Sequence, residues 1–252
     1  MVQLFNVVLY QPILNLLVFF YNIIPGNDLG IAIILLTVLI KLILYPLSQQ
    51  SIKGQKALQQ LQPKMEAIKQ EYKDNKEKQA QAMMALYKNE KINPLSSCLP
   101  LLIQLPFLFA VYKVFIDGLK SGSLGLLYPF IHNPGSLNPL FLGFIDLSKP
   151  NIYFAVLAGA AQYWQAKMLQ TKRPPKGIPG SKDESMTAIM NKQMLYFMPV
   201  ITIMIGVGLP GGLVLYWFVL TLLTALQQLV VFKKDGRKEK EQEPPITVIE
   251  NK

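Results

Sequence analysis

The sequence predicts an all-α protein that crosses a lipid bilayer about five times, and three observations carry that prediction. Of its 252 residues, 51% are apolar and only 16% are charged, against roughly a quarter in ordinary globular chains. The charges cluster in a few segments, and the stretches between them are almost charge-free and long enough to span hydrocarbon. Basic residues fall in alternate polar segments, the asymmetry expected of a multi-pass membrane protein.

The same composition removes other classes. A net charge of +10 could serve a polyanion, but only Arg173 and Arg237 are arginines, and nucleic-acid faces favour arginine forks. No specific nucleic-acid sequence is an expected partner. A single cysteine, Cys98, cannot form an intramolecular disulfide, and a single histidine, His132, cannot build a histidine metal cage. Phosphate loops, zinc-binding His/Glu patterns and nucleophile elbows are missing from the sequence. No catalytic residue, cofactor or metal is therefore expected. Without basic residues before Leu4 or a small-x-small site, no secretory signal peptide is expected either.

Residues 1–28 are read as extracytoplasmic. Within them, 10–25 (YQPILNLLVFFYNIIP) are apolar but interrupted by Gln11, Asn15 and Asn22, which predicts an amphipathic helix lying in the interface; a sixth crossing is the alternative. Residues 29–47 (LGIAIILLTVLIKLILYPL) form the first span, since nineteen residues at ~1.5 Å each nearly reach the ~30 Å hydrocarbon thickness. Residues 48–93 hold nine lysines and five acids among strong helix formers. Leu61, Met65, Ile68 and Tyr72 make one helical stripe, and Ala80, Met83 and Tyr87 a second. These predict a helical hairpin outside the membrane, with Asp74-Asn75 at its turn and Pro63 at a kink; one exposed rod is the alternative.

The second span, 94–115, is broken by Pro100 and Pro106 and carries Gln104. Residues 119–150 form a Gly/Pro/Ser-rich extracytoplasmic loop whose apolar patch from Leu126 to Ile131 rests at the interface. The third span is 151–168, where Ala158, Gly159, Ala160 and Ala161 allow close helix approach. A basic cytoplasmic loop follows at 171–193. Residues 194–232 contain no formal charge; as one helix they would be about 58 Å long, twice the hydrocarbon thickness. Leu209-Pro210-Gly211-Gly212 must therefore turn the chain, giving spans at 194–209 and 213–232 and a basic cytoplasmic tail at 233–252.

Charge sets the orientation. Segments 48–93, 171–193 and 233–252 contain nine, five and six basic residues, against none in 1–28 and two in 119–150. Five spans alternate with this division, placing the N-terminus outside and the C-terminus in the cytoplasm.

Lys41 is the one charge in the middle of a span. A cation at a helix centre costs about 2.5–3.5 kcal/mol on insertion scales and usually faces a bundle interior or wet cavity; snorkelling to the inner surface is the alternative. Thr37, Gln104, Gln162, Gln165, Tyr216, Thr221, Thr224 and Gln227 are further polar groups within spans; each glutamine alone is consistent with helix–helix contact, and together the set could line one shared cavity. No acid within the spans can pair with Lys41, and Asp117 is better placed against Lys113, four residues earlier. A serine–lysine hydrolase using Ser48, Ser51, Ser96 or Ser97 is the enzymatic alternative.

Four segments, 30–47, 61–75, 85–115 (ALYKNEKINPLSSCLPLLIQLPFLFAVYKVF) and 198–219 (MPVITIMIGVGLPGGLVLYWFV), followed by Gln227-Gln228, resemble in order and spacing the YidC/Oxa/Alb family of membrane protein insertases. The resemblance implies a five-transmembrane-helix core with a cytoplasmic helical hairpin and an N-terminal interfacial helix. It implies a hydrophilic groove, open to cytoplasm and lipid, through which nascent membrane proteins are inserted and helped to fold without nucleotide. The groove residues it implies here are Lys41, Thr37, Gln104, Pro106, Gln162, Gln165, Tyr216 and Trp217. Implied partners are nascent membrane proteins and lipid, with the ribosome and Sec translocon as further candidates, in the bacterial plasma membrane. No counterpart of the large extracytoplasmic domain of Gram-negative members is expected. Lys41 departs from the arginine usual in bacterial members: the charge is kept and the bidentate fork lost. A solute transporter, which should contain two similar halves, and a passive scaffold are the competing classes.

Overall fold

A computed structural model describes residues 2–93, 99–119, 124–169 and 193–242; for residues 2, 99–101, 103 and 234–242 it describes the backbone alone. Ser96, Ser97, Cys98, nearly all of the predicted loop 171–193, and residues 243–252 of the predicted tail lie outside the described residues.

Helix α1 joins Val2–Phe5, a π-helical turn at Asn6–Tyr10, and Gln11–Ile23. It begins eight residues before the predicted 10–25, because the preceding residues continue the apolar pattern. Pro12 lacks an N–H, and the wider π turn before it accommodates the interrupted hydrogen-bond ladder. One face, including Tyr10, Leu14, Leu17, Val18 and Tyr21, is buried.

Asp28 caps helix α2 (Leu29–Ile43) by accepting from Ile31 N at 2.9 Å. The predicted 29–47 span does not remain one helix. It bends by 70° at Leu44, and its last three residues open α3 (Tyr45–Glu71), since Pro46 cannot donate to the carbonyl four residues back and its ring crowds that turn. After a short turn, Asn75 caps α4 (Lys76–Asn89). Lys64 meets Glu90 at 2.5 Å, the Tyr87 hydroxyl meets Met65 Sδ at 3.8 Å, and Gln79 donates to Lys69 O at 3.2 Å. These pairs run α3 and α4 in opposite directions. On α4, Met83 and Tyr87 are half-buried as predicted, but Ala80 is exposed and Gln79 and Leu86 occupy the inner stripe.

Helix α5 is Leu99–Gly118 and contains Pro106. Near its end the Tyr10 hydroxyl donates to Asp117 at 2.9 Å, while Lys113 lies 4.5 Å from the Tyr10 ring centroid and donates to Asn6 at 3.3 Å. Helix α6 (Ile152–Met168) is capped by Asn151. Helix α7 (Gln193–Gly208) opens with a π-helical turn and packs tightly on α6; a Cβ added at Gly159 would lie 2.5 Å from Ile203 and 3.0 Å from the Pro199 carbonyl. Pro210 ends the predicted turn, and α8 runs Gly211–Gln242, so the first ten residues of the predicted tail continue the helix, as their strong helix formers favour.

Between α5 and α6 the chain forms a ribbon absent from the sequence prediction: β1 (Leu140–Phe141) pairs antiparallel with β2 (Ile145–Asp146), Leu140 opposite Asp146. Left-handed Leu142 and Gly143 turn it. Phe141 covers Gly30 of α2, where an added Cβ would come within 2.1 Å of the ring. The loop is fastened to helix ends throughout: Asn15 donates to Leu126 O and accepts from Tyr128 N, Asn22 donates to His132 O, Asp28 accepts from Leu142 N, and Gly211 N and Gly212 N donate to Lys149 O and Leu147 O. Below it, α1, α2, α5, α6 and α8 contribute to one apolar core that includes Leu14, Ile33, Leu36, Val114, Phe115, Ala158 and Val214.

Candidate functional site

A cavity of about 300 Å³ lies at the opposite end of α2 from this loop. Lys41 enters it from the last turn of α2, where the exposed carbonyl end of the helix favours a cation. The elbow at Leu44 returns the chain so that Ser48, Ser51 and Gln55 of α3 form a second wall. Gln104 of α5, Gln165 of α6, and Trp217, Thr221 and Thr224 of α8 complete the polar lining, with Leu44, Leu47, Ile52 and Leu220 between them.

The Lys41 ammonium donates to Thr224 Oγ1 at 3.0 Å and Ser48 Oγ at 3.2 Å. Thr224 passes its own proton to Leu220 O at 2.7 Å, leaving its oxygen free to accept from the cation. Among the described residues, no carboxylate lines the cavity. The cation is therefore held by neutral oxygens, an arrangement that leaves its charge available to an acidic or strongly polar visitor. Among the described residues, no three His, Cys, Asp or Glu side chains assemble into a metal-binding cluster.

Four of the eight predicted groove residues line the cavity: Lys41, Gln104, Gln165 and Trp217. Tyr216 stands behind them, fully buried, accepting from Gln104 Nε2 at 2.6 Å. The other three do not reach it. Thr37 shares the face of Lys41 but lies one turn deeper in the core, where its hydroxyl bonds Ile33 O at 2.6 Å. Gln162, one turn from Gln165, accepts the Thr202 hydroxyl across the α6–α7 contact. Pro106 lies two residues, or about 200°, round the helix from Gln104 and is exposed.

Sequence reasoning did not place Ser48, Ser51 and Gln55 in the groove; it counted Thr221 and Thr224 among the polar span residues able to line a shared cavity, though not among the groove residues the resemblance implies. The 217, 221, 224 spacing is a readable helical stripe. The serines depend on the Pro46 bend, without which they would lie about two turns or more beyond Lys41 along a continuing helix.

Among the described residues, two helices are long and apolar enough to cross a membrane, Gln3–Ile23 and Gly211–Lys233, or three if the bent α2–α3 pair is one span. With a cation enclosed among their partners, they define a polytopic helical membrane protein. The family model for the 60Kd inner membrane protein matches residues 19–239, and the chain belongs to that family, a multi-pass family of the bacterial inner membrane. It is 34% identical over 225 residues to the membrane protein insertase YidC of Geobacter sulfurreducens, covering 88% of this chain and 37% of that protein. The corresponding protein of Syntrophus aciditrophicus is 35% identical over 228 residues, covering 90% of this chain and 36% of that one. That of Magnetococcus marinus is 33% identical over 228 residues, with the same coverage. The chain thus spans little more than a third of the length of these curated relatives. The family is the one its four sequence motifs resemble.

Proposed function

We propose that the chain is a membrane protein insertase and chaperone, receiving nascent membrane segments in the Lys41 cavity and releasing them sideways into lipid. The observation that carries this reading is the Lys41 ammonium, held inside an apolar helical protein by the Ser48 and Thr224 hydroxyls in a cavity that, among the described residues, no carboxylate lines. In this reading α2, α5, α6, α7 and α8 are five spans, α3 and α4 are a cytoplasmic hairpin, and α1 lies along the outer interface. Its length and composition would also suit a sixth crossing. The basic asymmetry puts the cavity on the cytoplasmic side and the N-terminus outside.

The work is physical. Polar side chains and water in the cavity shorten the distance over which a client's flanking residues lose hydration, and Lys41 draws an acidic or hydrated tail inward. The client's apolar segment then enters lipid, each buried CH₂ contributing about 0.8 kcal/mol. Replacing the family's usual arginine by lysine keeps the attraction and removes two-point recognition of a carboxylate. Lipid and nascent chains are direct partners; the ribosome and Sec translocon are candidates for delivery. No nucleotide or cofactor takes part.

Photo-crosslinkers at positions 41, 104, 165 and 224, used during translation of a single-span substrate into vesicles, test the proposal. Adducts to the nascent chain at these positions, and fewer at the deeper position 37, are expected. Adducts to lipid alone at all of them would contradict it.

A further inference from the structure

A second recess, of about 420 Å³, lies on the loop side of the molecule between α1 and the Leu126–Ile131 patch. Pro12, Leu16 and Phe19 form one wall, and Tyr128, Phe130 and Ile131 the other. Asn15 lies between them and offers a visitor nothing: its amide nitrogen donates to Gln11 O and Leu126 O, and its oxygen accepts from Tyr128 N. The same bonds hold the two walls at a fixed separation. The recess is therefore preformed and presents only hydrocarbon.

Its floor is not isolated. Pro12, Leu16, Phe19 and Ile23, spaced four, three and four, lie on one stripe of α1, and Ile23 is 57% exposed beyond the recess. Phe130, stacked on Tyr128 with ring centroids 5.5 Å apart, is 80% exposed at the rim. In the described part of the surrounding loop, 124–150, the one acid and the one lysine, Asp146 and Lys149, pair with each other at 3.1 Å, and the Ser148 hydroxyl and then Lys149 hold the Asp146 carboxyl below the ordinary range. A surface with charge neutralised in this way suits the boundary between headgroups and hydrocarbon.

We infer that this recess is a lipid site, taking one acyl chain of a phospholipid from the leaflet beside the loop. The chain lies along the α1 stripe and passes beneath Phe130. A client helix is a poor occupant, because a cylinder about 10 Å across would fill such a volume within a single turn, and no polar atom is available to register it. The site is separate from the Lys41 cavity and does not depend on the insertase reading.

The full chain in vesicles of phosphatidylethanolamine and phosphatidylglycerol, with a trace of phospholipid carrying an acyl-chain diazirine, provides the test. Labelling per residue should be several-fold denser at Leu16, Phe19 and Ile131 than at the exposed Phe144 and Met204. Native mass spectrometry should find one phospholipid retained after extraction. Leu16→Trp and Ile131→Trp, which fill the recess from opposite walls, should each reduce retention about tenfold, whereas Phe144→Trp should not. Uniform labelling of the unaltered chain, unchanged retention in both filled variants, or displacement of the label by a single-span peptide would each overturn the assignment.

Discussion

The two ends of the helical core use polar residues in opposite ways. At the loop end, Asn15, Asn22 and Asp28 each have hydrogen-bond partners in the loop and fasten it to the helices. At the other end, among the described residues, Lys41 is held by hydroxyls and backs onto a cavity, and farther along α8 the Gln227 Oε1 and both amide atoms of Gln228 are buried without a partner. Satisfied polar groups lock one arrangement, whereas unsatisfied ones favour water or a second arrangement. The contrast fastens the loop end and leaves polar capacity at the hairpin end, the asymmetry on which the proposed insertase function rests.

The largest expected effect lies at the closed end. Gly30→Leu must displace Phe141 from α2 and should destabilise the fold by about 3 kcal/mol, measured by thermal unfolding in detergent. Asn15→Leu leaves Leu126 O and Tyr128 N without their side-chain partner and should cost about 2 kcal/mol. At the cavity, Thr224→Val removes one acceptor from a cation that Ser48 still holds, and should cost about 1.5 kcal/mol. Gln228→Met should reverse the sign, stabilising by about 1 kcal/mol because it removes two unsatisfied buried atoms. If Gln228→Met destabilised the protein as much as Asn15→Leu, the two ends would not differ as described.

Much of this was legible in the sequence because charge distribution and helix periodicity survive burial. Asn151, Pro210 and the Leu61–Met65–Ile68–Tyr72 stripe mark boundaries and faces that local chemistry dictates. Lys41 announced a polar interior by its cost alone. What escaped depends on rotation and bending. Gln104 and Pro106 differ by about 200° on one helix, so span membership could not separate them. The Pro46 elbow decides whether Ser48 faces Lys41, and a residue string records the proline but not the direction of the turn. Asn15 and Asn22 looked like signs of an interfacial helix; in the fold they fasten a loop more than a hundred residues away, a pairing for which neither segment carries a local signal.

The central claim concerns the charge at position 41, and insertion of matched single-span substrates with acidic, neutral and basic translocated tails tests it most directly. Lys41→Arg should insert all three as the parent does. Lys41→Met should lose most with the acidic tail, about tenfold if one charge-assisted contact is removed, and least with the basic tail. Equal insertion of all three substrates by Lys41→Met and the parent would contradict the account.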